Sequence, residues 1–357
     1  MLPPSPIIVI MQGVAEWNHW RRLQTATEAA PALREALLIR AQLPRINLSQ
    51  VDSCISNFSG ANLFKANLTK ASFYTANLSQ ARLDWAELHG VDMREANLRE
   101  ASLIRVQAQH TNFAMADLHG SNLREANFND SNFCEASLAD VDGCMAHMNH
   151  CNFSDANLQN SLFYTADLRQ ANFRQANLTA ADFREANLTQ ANLEDIQGRN
   201  TSFARAILDR AILIGAVLKR ANLTMASLAL TILNQANLSN ARMKKAILSQ
   251  ASLVGTTLCR AQLQNSSLEG ADCRQAVFRE ANLEHVNFQG ANLSGANLWG
   301  ANLQEACLMD ADLSHADLRH TTLIGTDFSG ATLTGAQLPD DYLLRASNAP
   351  IAMGRTA

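Results

Sequence analysis

The 357-residue sequence is poor in the residues that usually separate domains, and poor in charge of either sign. Its 16 glycines and 7 prolines form no linker-like stretch, so we expect one continuous body. Charged residues make up only 17% of the chain and their formal balance is −4, which disfavours a uniformly basic nucleic-acid-binding protein. Composition therefore predicts neither tandem domains nor a polycationic chain.

Long apolar segments are also missing. The longest apolar run near the N-terminus covers Ile7 to Met11, far short of the roughly 20 residues that cross a bilayer. No lysine or arginine precedes this run, so we predict neither a transmembrane span nor a signal peptide. Seven cysteines, an odd number scattered along a long chain, fit free thiols in a reducing cytoplasm.

What the sequence has in abundance is a five-residue repeat. From Ala41 to about Asp340, sixty pentads follow one register without insertion or deletion. We call the large apolar residue of each pentad its centre, and 55 of the 60 centres are Leu, Phe or Met. Two residues earlier, 41 of 60 positions are Ala, and the residue between them is most often Asn or Asp. A period of five excludes both a long amphipathic helix and an ordinary alternating strand.

Runs such as ANLSGANLWGANLQEACLMDADLSHADL, residues 291–318, resemble the pentapeptide-repeat family, whose consensus is A(N/D)LXX. The resemblance covers about 300 of the 357 residues. It implies an all-β solenoid, a right-handed quadrilateral β-helix of about 15 coils in which four pentads form each square coil. The small residue and the centre would face inward, while hydrogen bonds between stacked coils would satisfy the backbone.

Both ends of a β-helix leave open edges that pair with other chains unless they are covered. The predicted domains are therefore a helical N-terminal cap at residues 1–40, the β-helix at 41–340, and a short C-terminal cap with a flexible tail at 341–357. At the C-terminal end, we expect the three residues from Tyr342 to Leu344 to cover the last coil.

The N-terminal cap is predicted to contain two short helices. Apolar residues recur at helical spacing at Met11, Val14, Trp17 and Trp20, and again after Pro31 at Ala32, Leu33, Ala36 and Leu37. The stretch QGVAEWNHWRR also resembles the helical leader that precedes the repeats in many cyanobacterial members of the family. Packing of Trp17 and Trp20 on the first coil is favoured over contact with a partner.

Two features of the centres predict how the interior packs. Phenylalanine centres spaced by 20 residues are expected to stack as a ladder inside one wall, at Phe113, Phe133, Phe153 and Phe173. Five centres depart from the rule: Ser53, Ala108, Gly143, Gly198 and Cys273. Four of these follow a β-branched residue, as in Val141/Gly143 and Ile196/Gly198, so we expect that residue to fill the missing volume. Loosened coils that act as hinges or ligand pockets are the alternative.

Glycines and polar clusters carry further predictions. Twelve of the 16 glycines lie two residues after a centre, which predicts corners with positive φ, and their enrichment from Gly270 to Gly335 predicts more type II turns there. No phosphate loop or nucleophile elbow occurs, so neither an enzyme nor a cofactor is predicted. One cluster has metal-like spacing: Cys144, His147, His150 and Cys151.

In coil geometry this cluster does not converge on a metal. Cys151 would point inward and the other three side chains outward on two walls, so no metal site is predicted. His110, Asp130 and His150 share an outward column at 20-residue spacing, where we expect a solvated hydrogen-bonded ladder.

Surface charge is predicted to fall into bands. Residues 41–200 have a net charge of −6, residues 201–279 of +7 and residues 280–340 of −7. In the basic band, five cations are predicted to lie on two adjoining walls: Lys219, Arg220, Arg242, Lys244 and Arg260. Random drift of solvated surface charge is the alternative.

The same region also departs from the usual outward residues. The position before the centre, normally Asn, Asp or Ser, becomes Ile207, Ile212, Val217, Ile232 and Ile247. On the wall of the centres Leu213, Leu233 and Leu253, an exposed apolar patch is predicted at Ile212, Ile214, Ile232 and Val254. Such a patch suits a partner with an apolar centre and an acidic rim. The alternative is that β-branched residues simply favour extended walls.

The sequence thus favours a non-enzymatic scaffold or regulatory rod that binds a protein partner of unknown identity. The family resemblance implies an alternative, a DNA mimic that binds a type II topoisomerase like the quinolone-resistance members, whose rods are strongly acidic. The basic band argues against this alternative. Neither nucleic acid nor membrane is expected as a direct partner, and monomer and homo-oligomer both remain open.

Overall fold

The computed structural model describes residues 5–24 and 30–340 of the chain. These residues belong to two compact units, divided between Asp182 and Phe183. Each unit is built from the same five-residue repeat. The single continuous body expected from composition stays a prediction.

Two short helices precede the coils, α1 at Pro6–Gln12 and α2 at Val14–Leu23. Pro6 occupies the first turn of α1, where its missing N–H removes no helical hydrogen bond. Gly13 separates the helices with φ of 118°, a conformation that glycine adopts without steric cost. Among the described residues, no helix is both long enough and apolar enough to cross a membrane.

The remaining described residues form square coils. Every fifth residue makes an isolated parallel β-bridge to the residue 20 positions further on, from Ala32–Asp52 to Leu162–Asp182 in the first unit. In the second unit the series runs from Asn187–Ile207 to Asp317–Gln337. Each side of a coil is therefore one pentad with a single bridging residue. The predicted right-handed quadrilateral β-helix with a short helical N-terminal part is confirmed.

The pentad of residues 61–65 shows why asparagine recurs before the centre. Four of its five N–H groups donate to backbone carbonyls, one within the coil and three in the neighbouring coils. The fifth N–H, on Phe64, donates to the side-chain Oδ1 of Asn62 at 3.2 Å. Asn or Asp at this position thus satisfies the one backbone donor that the coil itself leaves without an acceptor.

All the corners have one conformation. Every fifth residue from Glu35 to Gly335 has φ between 54° and 70°, whether or not it is glycine. The predicted positive φ is therefore confirmed. The predicted increase in type II turns in the C-terminal coils is not confirmed, because the glycines there have the same left-handed φ as the non-glycine corners before them. Glycine there removes the steric cost of a Cβ without changing φ.

The interior is filled by the two inward positions. The four predicted phenylalanines stack with ring centroids 4.8, 5.0 and 4.8 Å apart and planes within 9° of parallel, which confirms the ladder. At the C-terminal end, the last centres are only half-buried: Leu323, Phe328, Leu333 and Leu338. The segment predicted to cover them, Tyr342 to Leu344, lies outside the described residues.

The second predicted helix is wrong. Residues 31–40 already form two sides of a coil, with bridges from Ala32 to Asp52 and from Leu37 to Asn57, so the coils begin ten residues before Ala41. Leu33 and Ala36 are buried, whereas Leu37 is exposed. A centre and the next small residue are three apart in the repeat, and this spacing mimics one face of a helix.

Helix α2 covers the open edge of the first coil. The Nε1–H group of Trp17 donates to the carbonyl of Asn47 at 2.6 Å, and the Asn47 N–H donates to Oδ1 of Asn18 at 2.8 Å. Arg21 donates to the carbonyl of Ser49 at 2.7 Å. Trp17 is fully buried, with its ring centroid 5.1 Å from that of Trp20. The expectation that these tryptophans pack on the first coil is confirmed for Trp17.

The glycine centres are compensated differently from the prediction. A Cβ built on Gly143 would lie 2.7 Å from Cδ1 of Phe163, the centre one coil further on, so that ring occupies the space assigned to Val141. At Gly198 the nearest atom is Cδ2 of Leu218 at 2.7 Å, while Ile196 lies at 3.5 Å. Neighbouring coils fill these sites, which argues against loosened hinges.

Candidate protein-interaction surface

The second unit presents four walls to solvent. In one coil, walls A, B, C and D are the pentads 211–215, 216–220, 221–225 and 226–230. A residue 20 positions further along lies on the same wall in the next coil. Walls A and C are opposite each other, as are walls B and D.

Wall A holds the predicted apolar patch, but the structure brings only part of it together. Its centres are buried, and Ile212 bridges directly to Ile232 in the next coil. The other two patch residues, Ile214 and Val254, lie two coils apart with Asn234 between them. Asn234 accepts the Val254 N–H at 3.0 Å. The contiguous pair on wall A is therefore Ile212 and Ile232.

Wall D extends this pair further than sequence reasoning predicted. Ile207 and Ile247 lie on wall D, two coils apart with Ser227 between them, and Leu230 lies at the corner between walls D and A, next to Ile232. We call these residues the isoleucine surface: Ile207, Ile212, Leu230, Ile232 and Ile247. Ile212 is half-buried, and the side chains of the other four are 36–48% exposed. Leu230 could have been identified from the sequence, because it lies at a corner position, where large aliphatic residues are rare in this chain.

The isoleucines give up a hydrogen bond that asparagine supplies elsewhere. In a typical pentad, Oδ1 of Asn152 accepts the N–H of Ser154 at 3.1 Å. The corresponding N–H groups of Ile214, Asn234 and Ser249 have no acceptor among residues 5–24 and 30–340. Each lost bond costs about 1 kcal/mol. The isoleucines therefore expose apolar side chains while lowering the stability of the local backbone hydrogen bonding.

The predicted basic residues lie on walls B and C. Lys219 and Arg220 belong to wall B, and Arg242 and Lys244 to wall C, so the adjoining-wall prediction is consistent with the coil geometry. Arg260, at the end of wall B, donates to Glu280 at 2.6 Å, and this hydrogen bond raises the pKa of its guanidinium. Because wall C is opposite wall A, Arg242 and Lys244 do not border the pair Ile212 and Ile232.

The metal-like cluster does not converge. Sγ of Cys151 contacts the carbonyl of Phe128 at 2.9 Å inside the coil, where burial raises the pKa of its thiol. Cys144 is buried too, although it holds an outward position in the repeat. Within the described part of the chain, no three potential metal ligands lie together.

The predicted histidine column forms in part. Nδ1 of His150 lies 3.0 Å from Oδ1 of Asp130, and its Nε2 contacts Gln170. His110, one coil earlier, makes no hydrogen bond to Asp130 among the described residues. This column links polar surface side chains and holds no reactive arrangement.

Comparisons with known proteins agree with this architecture. A family model described as pentapeptide repeats matches overlapping segments over residues 56–160 and 226–340, and a second, for a pentapeptide repeat region, matches residues 146–223. The search of curated proteins gives no match.

Solved structures of repeat proteins also match. HetL from the cyanobacterium Nostoc sp. strain PCC 7120, a protein involved in heterocyst differentiation regulation, is 30% identical over 61% of this chain and 90% of its own, with a TM-score of 0.27. QnrB1, a plasmid-mediated fluoroquinolone resistance protein, is 20% identical over 60% and 97%, with a TM-score of 0.32. Rfr23 from Cyanothece 51142 is 31% identical over 28% and 66%, with a TM-score of 0.20. Since the family models match well over half of the sequence, in the register that forms the coils, the chain belongs to the pentapeptide-repeat family.

Proposed function

We propose that this chain is a non-enzymatic scaffold that binds a protein partner through the isoleucine surface. The observation that carries the proposal is the replacement of asparagine by isoleucine at outward positions, which leaves backbone N–H donors without acceptors among the described residues and exposes apolar side chains. A contiguous exposed apolar patch is a common mark of a protein interface. Lys219 on wall B, next to wall A, would favour acidic groups at one edge of the partner.

The family alternative, a DNA mimic bound to a type II topoisomerase, has less support. Residues 201–279, which include the isoleucine surface, have a net charge of +7, opposite in sign to a DNA mimic. Recovery of a type II topoisomerase by variants that lack the isoleucine surface would support this alternative.

The test compares the full-length chain with the double variant Ile212→Asn/Ile232→Asn as baits in cells of the native organism. The substitution restores the residue type that is common at this position, so folding should be unchanged. Leu162→Asn is the matched control, because Leu162 has the same pentad position and similar exposure but belongs to the first unit. We expect the wild-type and Leu162→Asn baits to recover the same partner proteins, and the double variant to lose them.

A photo-crosslinking residue makes the result specific to the surface. Placed at position 232, this residue should form covalent adducts with the partner protein that the wild-type bait recovers, whereas at position 162 it should not. Purified partner and chain should then bind with at least tenfold weaker affinity in the double variant. Equal recovery and equal affinity for all three baits would refute the proposal.

A further inference from the structure

A second surface of the same unit has no acidic residue near it in sequence. From Arg210 to Leu268, nearly three full coils, the chain contains no Asp or Glu. The same stretch contains seven cations: Arg210, Lys219, Arg220, Arg242, Lys244, Lys245 and Arg260. No carboxylate from these coils is therefore available, on any wall, to neutralise them.

Four of these cations form a continuous group on walls B and C, which we call the cationic face: Lys219, Arg220, Arg242 and Lys244. Arg220 is the last residue of its wall B pentad, and Arg242 lies just beyond that corner in the next coil, where it bridges to Asn222. Adjacent coils are about 4.8 Å apart. Arg220, Arg242 and Lys244 are exposed and Lys219 is half-exposed.

These cations also lack the ion pairs that arginines form elsewhere in the chain. Arg94, Arg169 and Arg274 each pair with the aspartate two residues earlier, at 2.8, 2.7 and 2.7 Å. The hydrogen bond from Arg94 holds the pKa of the Asp92 carboxyl below its ordinary value. Two residues before Lys219 and Lys244 stand Val217 and Arg242 instead.

None of the four cations of this face forms an ion pair with a described residue. A group of exposed cations left without neutralising partners favours an anionic ligand, since no internal ion pair has to be broken on binding.

The neighbouring side chains indicate which anion fits. Around the cations lie hydroxyl and amide groups at Asn222, Thr224, Ser239 and Asn240. Met225, at the edge of wall C, is the single exposed large apolar side chain within the described part of this face. Protein interfaces have an apolar core, whereas Lys, Arg, Ser, Thr and Asn are the side chains that contact nucleic-acid phosphates.

We infer that the cationic face docks the phosphate backbone of a nucleic acid without reading its bases. No exposed aromatic ring lies among these residues to stack on bases, so the contact is sequence-independent. The overall charge of −4, on which the expectation against a nucleic-acid partner rests, averages this face with two acidic regions. The isoleucine surface is centred on the opposite corner of the coil, between walls D and A.

Fluorescence anisotropy of the full-length chain with a labelled duplex DNA of random sequence tests this inference. We expect saturable binding whose log K falls with log salt at a slope of about −3.6, since each of about four phosphate contacts contributes about −0.9. Scrambled duplexes should bind equally well. At 150 mM salt, the quadruple variant of the cationic face, with all four cations changed to Gln, should bind at least tenfold more weakly and with a flatter salt slope.

The matched control removes the same charge from paired arginines, in the variant Arg94→Gln/Arg169→Gln/Arg274→Gln/Arg319→Gln. Its affinity should stay within about threefold of wild type, because none of these four arginines belongs to the cationic face and each already pairs with an aspartate. The double variants Lys219→Gln/Arg220→Gln and Arg242→Gln/Lys244→Gln should each lose affinity for the duplex by an intermediate amount. They replace the quadruple variant in the comparison if that variant does not fold.

Three outcomes would overturn the inference. The first is an absence of binding by the wild-type chain at 50 mM salt. The second is an equal loss of affinity in the matched control. The third is competition by poly-L-glutamate as strong, per charge, as by unlabelled duplex, which would assign the face to an acidic protein segment.

Discussion

The coils around residues 112–172 and those around residues 207–254 share one backbone but present opposite surfaces. In the first region, asparagines before the centres form a ladder in which each Nδ2 donates to the Oδ1 one coil earlier, at 3.0–3.2 Å: Asn112, Asn132, Asn152 and Asn172. In the second region the corresponding residues include Ile207, Ile212, Ile232 and Ile247. The bridges and corner φ values are the same in both. The inward positions therefore maintain the coil, and the outward positions are free to differ.

The largest expected effect tests this division with two adjacent residues. Leu233 is buried and Ile232 is 36% exposed. Leu233→Asp should lower the free energy of unfolding by at least about 4 kcal/mol, because it removes buried apolar area and buries an unpaired charge. Ile232→Asp should cost less than about 1 kcal/mol, since its side chain remains in water. Denaturant unfolding followed by circular dichroism measures both, and similar losses would contradict the inward and outward assignment.

The next effect concerns the interior where a centre is glycine. Gly143→Ala should destabilise the chain by about 2 kcal/mol, because the added Cβ overlaps the Phe163 ring. Phe163→Leu in the same chain should recover part of that loss, and thermal unfolding of the single and double variants measures the coupling. If Phe163→Leu gives no recovery, Phe163 does not fill the space above Gly143.

A smaller effect is expected at the corners, where backbone conformation alone matters. A Cβ at Gly290 meets no atom within 4 Å, yet φ is +64°. Gly290→Ala should therefore cost about 1 kcal/mol, from the left-handed conformation and not from a clash. Ala180→Gly, at a corner with φ of +59°, is the reverse control and should not destabilise the chain. Losses in both variants would show that the corner φ is not what limits stability.

The smallest effect sharpens the comparison of the two surfaces. Ile232→Asn should leave stability unchanged or raise it by up to about 1 kcal/mol, because the amide can accept the N–H of Asn234. Asn152→Ile makes the opposite exchange and should lower stability by a similar amount, since the Ser154 N–H loses its acceptor. Calorimetric melting of the two variants is the measurement. A strong loss for Ile232→Asn would mean that the isoleucine has a packing role in the coil.

Much of the fold was predictable because the repeat reports directly on the coil. The resemblance of the repeat to the pentapeptide-repeat family implied the four-sided β-helix, and the five-residue spacing within it predicted the inward positions and the phenylalanine ladder, all of which the structure confirms. Residues 31–40 were mispredicted as helix because inward positions three apart also fit one helical face. The end of a repeat is therefore harder to predict than its interior.

The candidate site was less predictable than the fold. The sequence indicated Ile212 and Ile232, and 20-residue spacing was enough to place them side by side. It did not indicate that Leu230 and wall D continue the surface, since that follows from which corner joins the two walls. Nor did residue type alone show that Ile212, Ile232 and Ile247 leave backbone N–H groups without acceptors in the described part of the chain, because that requires the hydrogen-bonding pattern of the whole pentad.

The sequence by itself determined the period, the inward residues and the charge of each segment, because these depend on spacing and composition along the chain. The tertiary structure alone decided which neighbour fills the space at Gly143 and how Trp17 and Arg21 satisfy the open edge of the first coil. It also placed Arg242 and Lys244 on the wall opposite Ile212 and Ile232. These features depend on contacts between residues about 20 or 30 positions apart, and such contacts exist only once the chain has closed into a square coil.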